Sequence, residues 1–174
     1  MAEYAKKYGY YLIVKDKLTY QGEIVSSTRI RETLALGNIE KVNAMLGEPF
    51  HITGTVIEGN RLGRTIGIPT INQTIPEHKL LPPDGVYASV VKIDGVSYYG
   101  ITNIGYKPTV LQNKGRGVET YLFDCDQYLY GKEAVVQLHT FIRKEEKFSS
   151  LQELQKQIQE DIAKVKQYFG RYSL

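Results

Sequence analysis

The sequence is poor in the residues that several protein classes require. Cys125 is the single cysteine among 174 residues, so no disulfide can form within the chain, and a reducing compartment is compatible with it. The three histidines, His51, His78 and His139, are far apart and lack the spacing of metal ligands. No apolar run approaches the ~18 residues of a membrane span. These absences predict a cytoplasmic chain that has no membrane partner.

Positive and negative side chains are nearly equal in number. Lys and Arg total 22 and Asp and Glu total 19, and this excess is too small to indicate nucleic-acid binding unless the basic residues cluster. Hydrophobic residues make up 42% and charged residues 24%, which excludes a disordered or collagen-like chain. There is no Trp, but there are 14 Tyr, a composition that favours strands with one solvated face or surfaces for stacking.

The first 47 residues differ in pattern from the rest. We expect a strand over residues 8–14 and a short helix that begins in the Ser/Thr cluster at residues 26–28 and ends at Gly37. A second helix should begin at Asn38 and end at Gly47. One strand and two short helices cannot form a core of their own, so this segment must pack against another part of the protein.

From Phe50 onwards the pattern is that of an antiparallel β-protein. Short apolar segments alternate with a period of two, and Asp94-Gly95 is the signal of a type I′ hairpin. Without helices between them, these strands predict a small antiparallel barrel. The expected strands cover residues 50–57, 66–75, 86–93, 96–104, 118–124 and 134–141, the last two as a second hairpin.

One long helix is predicted at the C-terminal end. Ser150 and Glu153 have the spacing of a capping box, in which each side chain bonds the backbone of the other. An apolar stripe with helical spacing follows and is expected to face a core. The stripe consists of Leu151, Leu154, Ile158, Ile162 and Val165.

A glycine-rich segment after the first barrel strand is the least ordinary stretch. Glycines recur at Gly59, Gly63 and Gly67, and Arg61 and Arg64 lie between them. Such a segment can direct backbone N–H groups at an anion while guanidinium groups add positive charge. It differs from a P-loop, because the glycine spacing is one residue short and Arg64 replaces the lysine. A solvated turn between strands is the alternative.

Thr70 and Asn72 follow this segment directly. Residues i and i+2 of an extended strand point to one face, so both side-chain oxygens should lie on the same side. Two neutral oxygens beside bound phosphates suit Mg²⁺, which takes its other ligands from phosphate and water. The alternative is a turn in which both side chains bond their own backbone.

Two charged residues further along are also candidates for a site. Glu119 shares a predicted strand face with Tyr121 and Phe123, where a carboxylate is costly unless it is paired or functional, and this setting suits a general base. Arg143 lies between the last strand and the helix, where it can grip a ligand. The alternatives are a strand-end ion pair for Glu119 and a surface charge for Arg143.

Six motifs in order resemble those of the riboflavin kinase (flavokinase) family, over roughly residues 48 to 170. They are GIPTIN at 67–72, DGVY at 84–87, NIGYKPT at 103–109, ETYLFD at 119–124, LYGK at 129–132 and FIR at 141–143. The departure is Ile71, where the family usually has Ala, and its side chain should point away from Thr70 and Asn72.

The segment at 26–31, SSTRIR, resembles a late motif of the FMN adenylyltransferase domain in bacterial bifunctional FAD synthetases. The rest of that domain, including its His-x-Gly-His type motif, is absent, so adenylyl transfer by this chain is not expected. The two resemblances imply a remnant of a nucleotidyltransferase domain at residues 1–47 and a kinase module at 48–174. That module would be a mainly β, six-stranded antiparallel Greek-key barrel with a long C-terminal helix, preceded by a short helical segment.

The resemblance to riboflavin kinase also implies an activity, the ATP-dependent phosphorylation of riboflavin to FMN with release of ADP. Glu119 would be the catalytic base, Thr70 and Asn72 would bind Mg²⁺, and Arg143 and Tyr121 would contact the flavin. The ATP phosphates would be held by Gly59, Gly63, Arg64 and Gly67.

A second hypothesis comes from a different class, a small-barrel module that binds single-stranded nucleic acid through exposed Tyr residues. The scattered rather than clustered basic residues argue against it.

Overall fold

Six antiparallel strands form a closed barrel, flanked by helices on both sides in sequence. A computed structural model of the chain describes residues 1–59, 63, 67–106 and 115–170. In chain order the elements are α1 (Ala2–Tyr8), β1 (Thr19–Tyr20), β2 (Glu23–Ile24), α2 (Ser27–Ala35), α3 (Ile39–Leu46), β3 (His51–Ile57), β4 (Thr70–Gln73), β5 (Gly85–Ile93), β6 (Val96–Tyr106), β7 (Arg116–Leu122), β8 (Glu133–Lys144) and α4 (Leu151–Phe169).

The strand order confirms the predicted Greek-key barrel. Around the barrel the order is β3-β4-β7-β6-β5-β8, and β8 closes on β3. Strands β5, β6 and β7 form a meander, and β4 lies between β3 and β7 rather than beside β5, the strand that follows it in sequence, which is a Greek-key arrangement. Asp94 and Gly95 have φ angles of 49° and 80°, so the predicted type I′ turn joins β5 to β6.

The prediction of a strand at residues 8–14 is wrong. Residues 2–8 form α1, and residues 9–18 have no regular structure. Tyr11, Ile13 and Val14 are strongly exposed. A closed barrel has no free edge, so this apolar run has no strand with which to pair. A two-residue hairpin, β1–β2, was not predicted; Gln21 and Gly22 form its turn with positive φ angles.

The second predicted hairpin is also wrong. β7 pairs with β4 and β6, whereas β8 pairs with β3 and β5, so the two strands are not neighbours. The connecting segment crosses the barrel end, where Gly131 N–H donates to Val56 O over 2.9 Å. The strand predicted at 66–75 has a paired portion at Thr70–Gln73, and residues 64–66 lie outside the described part of the chain.

The barrel interior combines an apolar core with a buried hydroxyl chain. Alternate residues of the strands, such as Ile52, Val91 and Ile104, are fully or almost fully buried there. Thr102 Oγ1 lies 2.8 Å from both Ser89 Oγ and Thr120 Oγ1, and all three side chains are at most 1% exposed. Because the hydroxyls satisfy one another, they tie β5, β6 and β7 together without leaving a polar group unpaired.

Helices α2 and α3 belong to the same core as the barrel. Their caps agree with prediction: Ser26 and Asn38 accept backbone N–H bonds, and Gly37 and Gly47 both have a φ of 77°. Asn43 donates to Leu138 O and accepts from Phe50 N–H, which fixes α3 against β8 and the start of β3. The core cluster therefore extends from the barrel into the N-terminal segment, through Leu34, Ile39 and Val42.

Helix α4 covers the outer face of the barrel. Val165 and Phe169 pack on Val86, Ala88, Val90 and Ile101 in a second core cluster. Leu151, predicted to face a core, is instead 48% exposed, because the buried face of the helix starts further along.

The capping box is only half formed. Ser150 Oγ accepts from Glu153 N–H, as predicted, but the Glu153 carboxylate accepts from the N–H and hydroxyl of Ser149. The Glu153 side chain therefore bonds Ser149, one residue before the Ser150 backbone that the capping-box pattern predicts.

Replacing Ile39 with Ala should destabilise the whole barrel. Ile39 is fully buried and shares its cluster with barrel residues, so truncation leaves a cavity that costs about 2–5 kcal/mol of unfolding free energy. Urea unfolding followed by circular dichroism should show one transition at lower urea for Ile39→Ala. Leu36→Ala, at an 84% exposed position, is the control. A separate early transition that leaves the barrel unchanged would contradict a shared core.

The stability of the protein should fall as the pH falls below about 6.5. His139 lies against Phe169 with ring centroids 5.3 Å apart, and its Nε2 is buried without a hydrogen-bond partner in the described part of the chain. Burial lowers the pKa of His139. The unfolded chain therefore takes up a proton, at an ordinary pKa of about 6.5, before the folded one does, and stability is lost as the pH falls through the folded pKa.

Urea midpoints at pH 7.5 and 5.5 measure this effect. The drop in midpoint should be smaller in His139→Gln than in the unchanged protein, whereas the exposed His78→Gln should behave like the unchanged protein. An equal drop in all three proteins would show that His139 does not carry the pH dependence.

Candidate active site

A cleft of about 350 Å³ lies on the outer face of the barrel, beneath the start of α4. One part of its wall is apolar and consists of Ile68, Val86, Ile101, Tyr121, Phe148, Leu154 and Ile158. The polar lining consists of Thr70, Asn103, Glu119, Arg143, Glu145, Glu146 and Asp161, with Gly63 at one edge. The cleft thus combines surface for a planar apolar ligand with a concentrated polar floor.

Strand register brings four of the predicted site residues onto one face. On β4 and β7, Thr70 pairs with Tyr121 and Asn72 pairs with Glu119. Directly opposed residues of antiparallel strands point to the same side, so all four side chains lie on the outer face. Asn103 of β6 also pairs with Glu119. Asn72, Glu119 and Asn103 therefore form a polar row across three strands.

The Thr70 hydroxyl and the Glu119 carboxylate are in direct contact. Thr70 Oγ1 donates a hydrogen bond to Glu119 Oε1, diagonally across the β4–β7 pair. Both side chains are half-buried. A hydroxyl that donates its one hydrogen keeps two lone pairs, so Thr70 can still accept a further ligand. The bond orients the carboxylate and leaves Thr70 able to bind a cation.

The glycines of the glycine-rich segment bring it close to this pair. A Cβ at Gly59 would overlap the side-chain amide of Asn72, and a Cβ at Gly63 would overlap the carbonyl oxygen of Ile68. Ile68 N–H donates to Gly63 O over 2.8 Å, which holds Gly63 beside β4. Gly67 has a φ of 75°, a conformation that favours glycine.

Parts of two predicted motifs lie outside the described residues. Arg64, predicted to bind phosphates, lies outside the described residues, as does the 107–109 part of the NIGYKPT motif. Within the described residues, Gly59 approaches Asn72 and Gly63 approaches Thr70.

Arg143 is held by a buried acid. Its Nε donates to Asp161 Oδ2 over 2.8 Å, and its Nη1 donates to Lys144 O over 3.0 Å. The guanidinium carbon lies 5.6 Å from the centre of the Phe148 ring. Arg143 lines the cleft, as its predicted ligand role requires, but one edge of the guanidinium is already engaged.

The structure places further residues in the cleft to which the sequence reasoning gave no role. Glu145 accepts from Asn103 Nδ2 over 3.3 Å, and its carboxylate occupies the space that a Cβ at Gly105 would fill. Asn103 opens the NIGYKPT motif, and residues i and i+2 of a strand share a face, so the side chain of Asn103 is expected on the same face as Gly105.

Asp161 also had a signal in the sequence. It lies three residues after Ile158 and four before Val165, so a carboxylate interrupts the apolar face of the helix. Such a residue requires a partner, and the structure shows Arg143 in that place.

The described residues set two limits on other kinds of site. They include no group of three or more His, Cys, Asp or Glu side chains arranged to hold a metal ion. None of the described helices is long and apolar enough to cross a bilayer.

The fold and the cleft together define a small-barrel protein with a lateral ligand site built around a Thr–Glu pair. The riboflavin kinase family model matches residues 46–169, so the chain belongs to the riboflavin kinase (flavokinase) family. The bifunctional riboflavin kinase/FMN adenylyltransferase of Bacillus subtilis is 40% identical over 157 residues, which cover 89% of this chain and 50% of that protein. The chain thus spans about half the length of the curated relatives it matches.

Solved structures extend the likeness to the N-terminal segment. A Streptococcus pneumoniae chain described as a macrolide-efflux protein has a TM-score of 0.83 and 31% identity, covering 99% of this chain and 55% of that one. A riboflavin kinase from Trypanosoma brucei has a TM-score of 0.51 and 22% identity, covering 71% of this chain and 82% of that one, and shows the shared fold alone.

If the glycine-rich segment holds the ATP phosphates, as the resemblance implies, replacing Gly63 with Ala should weaken ATP binding. The new Cβ would overlap a backbone carbonyl that cannot move cheaply, so the segment must shift away from Thr70. A hydrogen bond to a charged group contributes about 1.5–3 kcal/mol, so loss of one such bond to a phosphate should raise the Kd for ATP at least tenfold. Calorimetric titration measures it. Gly95→Asn, in a hairpin turn with open space around the new side chain, is the control. Equal affinity in both variants would contradict a phosphate-binding role.

Proposed function

We propose that this chain transfers the γ-phosphoryl group of ATP to the 5′-hydroxyl of riboflavin, giving FMN and ADP. The observation that carries the proposal is the Thr70–Glu119 hydrogen bond on the floor of a cleft that has apolar walls and a glycine segment at its edge. Phosphoryl transfer needs mainly positioning and charge stabilisation. Membership of the riboflavin kinase family supports riboflavin as the acceptor.

In this mechanism Glu119 is the general base. It accepts the proton of the 5′-hydroxyl as the hydroxyl oxygen forms a bond to the γ-phosphorus and the bond from that phosphorus to the bridging oxygen of ADP breaks. The hydrogen bond from Thr70 keeps one carboxylate oxygen in place. The proton then passes from Glu119 to solvent as the products leave.

Thr70 and Asn72 are proposed to bind Mg²⁺ together with the ATP phosphates. The donors fit, because Mg²⁺ prefers oxygen ligands and keeps several from water and phosphate. Four carboxylates line the cleft, and Arg143 is the one base among its described lining residues, so the phosphates need a cation to enter. When bound, the ion neutralises charge that develops on the transferred group.

The flavin ring is proposed to lie between the apolar wall and α4. Val86, Ile101 and Tyr121 lie on one side of the cleft, and Leu154 and Ile158 lie on the helix side. These side chains can cover a planar ring, while the donors of Arg143 can meet its polar edge. The ribityl chain would then extend towards Glu119.

The cleft does not favour the nucleic-acid hypothesis. Single-strand binders use basic residues that follow the backbone and exposed rings on which bases stack. Here the described lining residues include one base and four acids. Binding of an oligonucleotide with a steep salt dependence would support that hypothesis instead.

The N-terminal segment, residues 1–47, is proposed to belong with a nucleotidyltransferase domain, and the chain to act in the cytoplasm. Large apolar side chains are exposed in the first 24 residues, among them Tyr4, Tyr8, Leu12 and Leu18. Large apolar side chains exposed in this number over a short stretch are expected of a segment that packs against another domain. The relatives, about twice as long as the matched region, are named for both kinase and adenylyltransferase activities.

The direct test is phosphate transfer to riboflavin. The protein is incubated with riboflavin, magnesium and ATP labelled on the γ-phosphate, and the products are separated by chromatography. We expect labelled FMN and an equal amount of ADP, and none of either above background when EDTA removes the metal. A folded protein that forms no FMN would overturn the proposal, and FMN formed without a divalent cation would overturn the magnesium assignment.

Replacing Glu119 with Gln should slow turnover while substrates still bind. The amide keeps the shape of the side chain but cannot accept the hydroxyl proton, and loss of a general base costs about 10²–10⁴-fold in kcat. Fluorescence titration should show riboflavin binding within a few-fold of the unchanged protein. Glu133→Gln removes an exposed carboxylate at the start of β8 and is the matched control. Near-normal kcat in Glu119→Gln would exclude Glu119 as the base.

A further inference from the structure

Asp161 is a buried acid on a helix that otherwise presents apolar residues to the barrel. It is 1% exposed, between the half-buried Ile158 and the fully buried Val165. A buried carboxylate is costly unless its oxygens are bonded, and here both are. Oδ2 accepts from Arg143 Nε over 2.8 Å, and Oδ1 accepts from Gln157 Nε2 over 3.0 Å.

The bonds of Arg143 leave one part of its guanidinium group available. Nε is engaged with Asp161, and Nη1 is engaged with Lys144 O. Within the described part of the chain, Nη2 makes no hydrogen bond. The side chain is 15% exposed and lines the cleft, so the guanidinium is held by its inner edge.

Attachment of the helix is a poor explanation for this pair. Helix α4 is already anchored near its C-terminal end by Val165 and Phe169, and the Phe169 ring stacks on Tyr99 at 4.3 Å. A buried ion pair is weak as a source of stability, because the desolvation of both charges offsets most of their attraction. Asp161 lies one helical turn before Val165, on the part of the helix contact that borders the cleft.

We propose that Asp161 is a positioning residue for the flavin: it holds Arg143 so that Nη2 donates to a carbonyl or ring nitrogen on the polar edge of bound riboflavin. Gln157 in turn orients Asp161. The inference rests on the proposed function, in which the cleft binds riboflavin. It predicts that Asp161 affects flavin affinity through Arg143 and has no effect of its own.

A double-mutant cycle with the full chain tests this coupling. The variants are Asp161→Asn, Arg143→Met and the two combined, with Glu160→Gln on the exposed side of the same helix as control. Riboflavin Kd is measured by flavin fluorescence, KM for riboflavin and ATP by FMN formation, and folding by thermal melting. We expect Asp161→Asn to raise riboflavin Kd and KM by about ten- to a hundredfold, the size expected when one hydrogen bond from a charged donor is lost, with the KM for ATP within about twofold.

The combined variant decides between the two roles. If Asp161 acts through Arg143, adding Asp161→Asn to Arg143→Met changes riboflavin Kd no further, whereas independent effects would multiply. Multiplying effects, or an unchanged Kd in a folded Asp161→Asn, would overturn the proposal. If Asp161→Asn does not fold, Gln157→Ala takes its place, and a weaker flavin affinity is expected only while Arg143 is present. Failure of the unchanged protein to bind riboflavin would reject the proposed function itself.

Discussion

The pairing of β4 with β7 is the constraint on which the candidate site depends. β4 contains four residues, and its register sets Thr70 beside Tyr121 and Asn72 beside Glu119. A shift by one residue would turn Thr70 and Asn72 into the barrel and bring Ile71 to the surface. The register is fixed from inside, where Gln73 donates to Ile52 O over 3.0 Å and Val118 is 1% exposed. The barrel core thereby determines which oxygens meet in the cleft.

The rest of the barrel holds this pair of strands in place. The hydroxyls of Ser89, Thr102 and Thr120 link β5, β6 and β7 inside the barrel. Thr120 is the residue next to Glu119, so this link fixes β7 at the position that carries the carboxylate. Helix α4 covers the outer face of the same strands and supplies the far wall of the cleft. Because Thr70, Glu119 and Asn103 belong to paired strands rather than to loops, the spacing of their side chains is set before a ligand binds.

Much of the fold could be predicted because its signals are local. The caps of α2 and α3, the Asp94-Gly95 turn and the period of two along the strands depend on neighbouring residues. Strand partners depend on closure of the barrel, so the expected pairing of β7 with β8 was wrong. The run at residues 8–14 has the composition of a strand, but the closed barrel offers it no edge.

Site residues could be predicted where the alternation of side chains along a single strand places them on one face. The shared face of Thr70 and Asn72 follows from alternation alone, and so does that of Glu119 and Tyr121. The contacts of Asn103 with Glu145 and of Arg143 with Asp161 join residues 42 and 18 positions apart, and only the folded chain brings them together. The sequence showed Arg143 as a charge that could grip a ligand, whereas the structure shows that a buried acid already holds one of its edges.

The proposed mechanism places the 5′-hydroxyl of bound riboflavin at Glu119. A crystal structure of the protein with riboflavin, magnesium and a non-hydrolysable ATP analogue measures this directly. If Glu119 is the base, the 5′-oxygen should lie within about 2.6–3.2 Å of a Glu119 carboxylate oxygen, with the γ-phosphate analogue near Thr70. A flavin bound outside the cleft, or a 5′-oxygen far from Glu119 with both ligands in place, would contradict it.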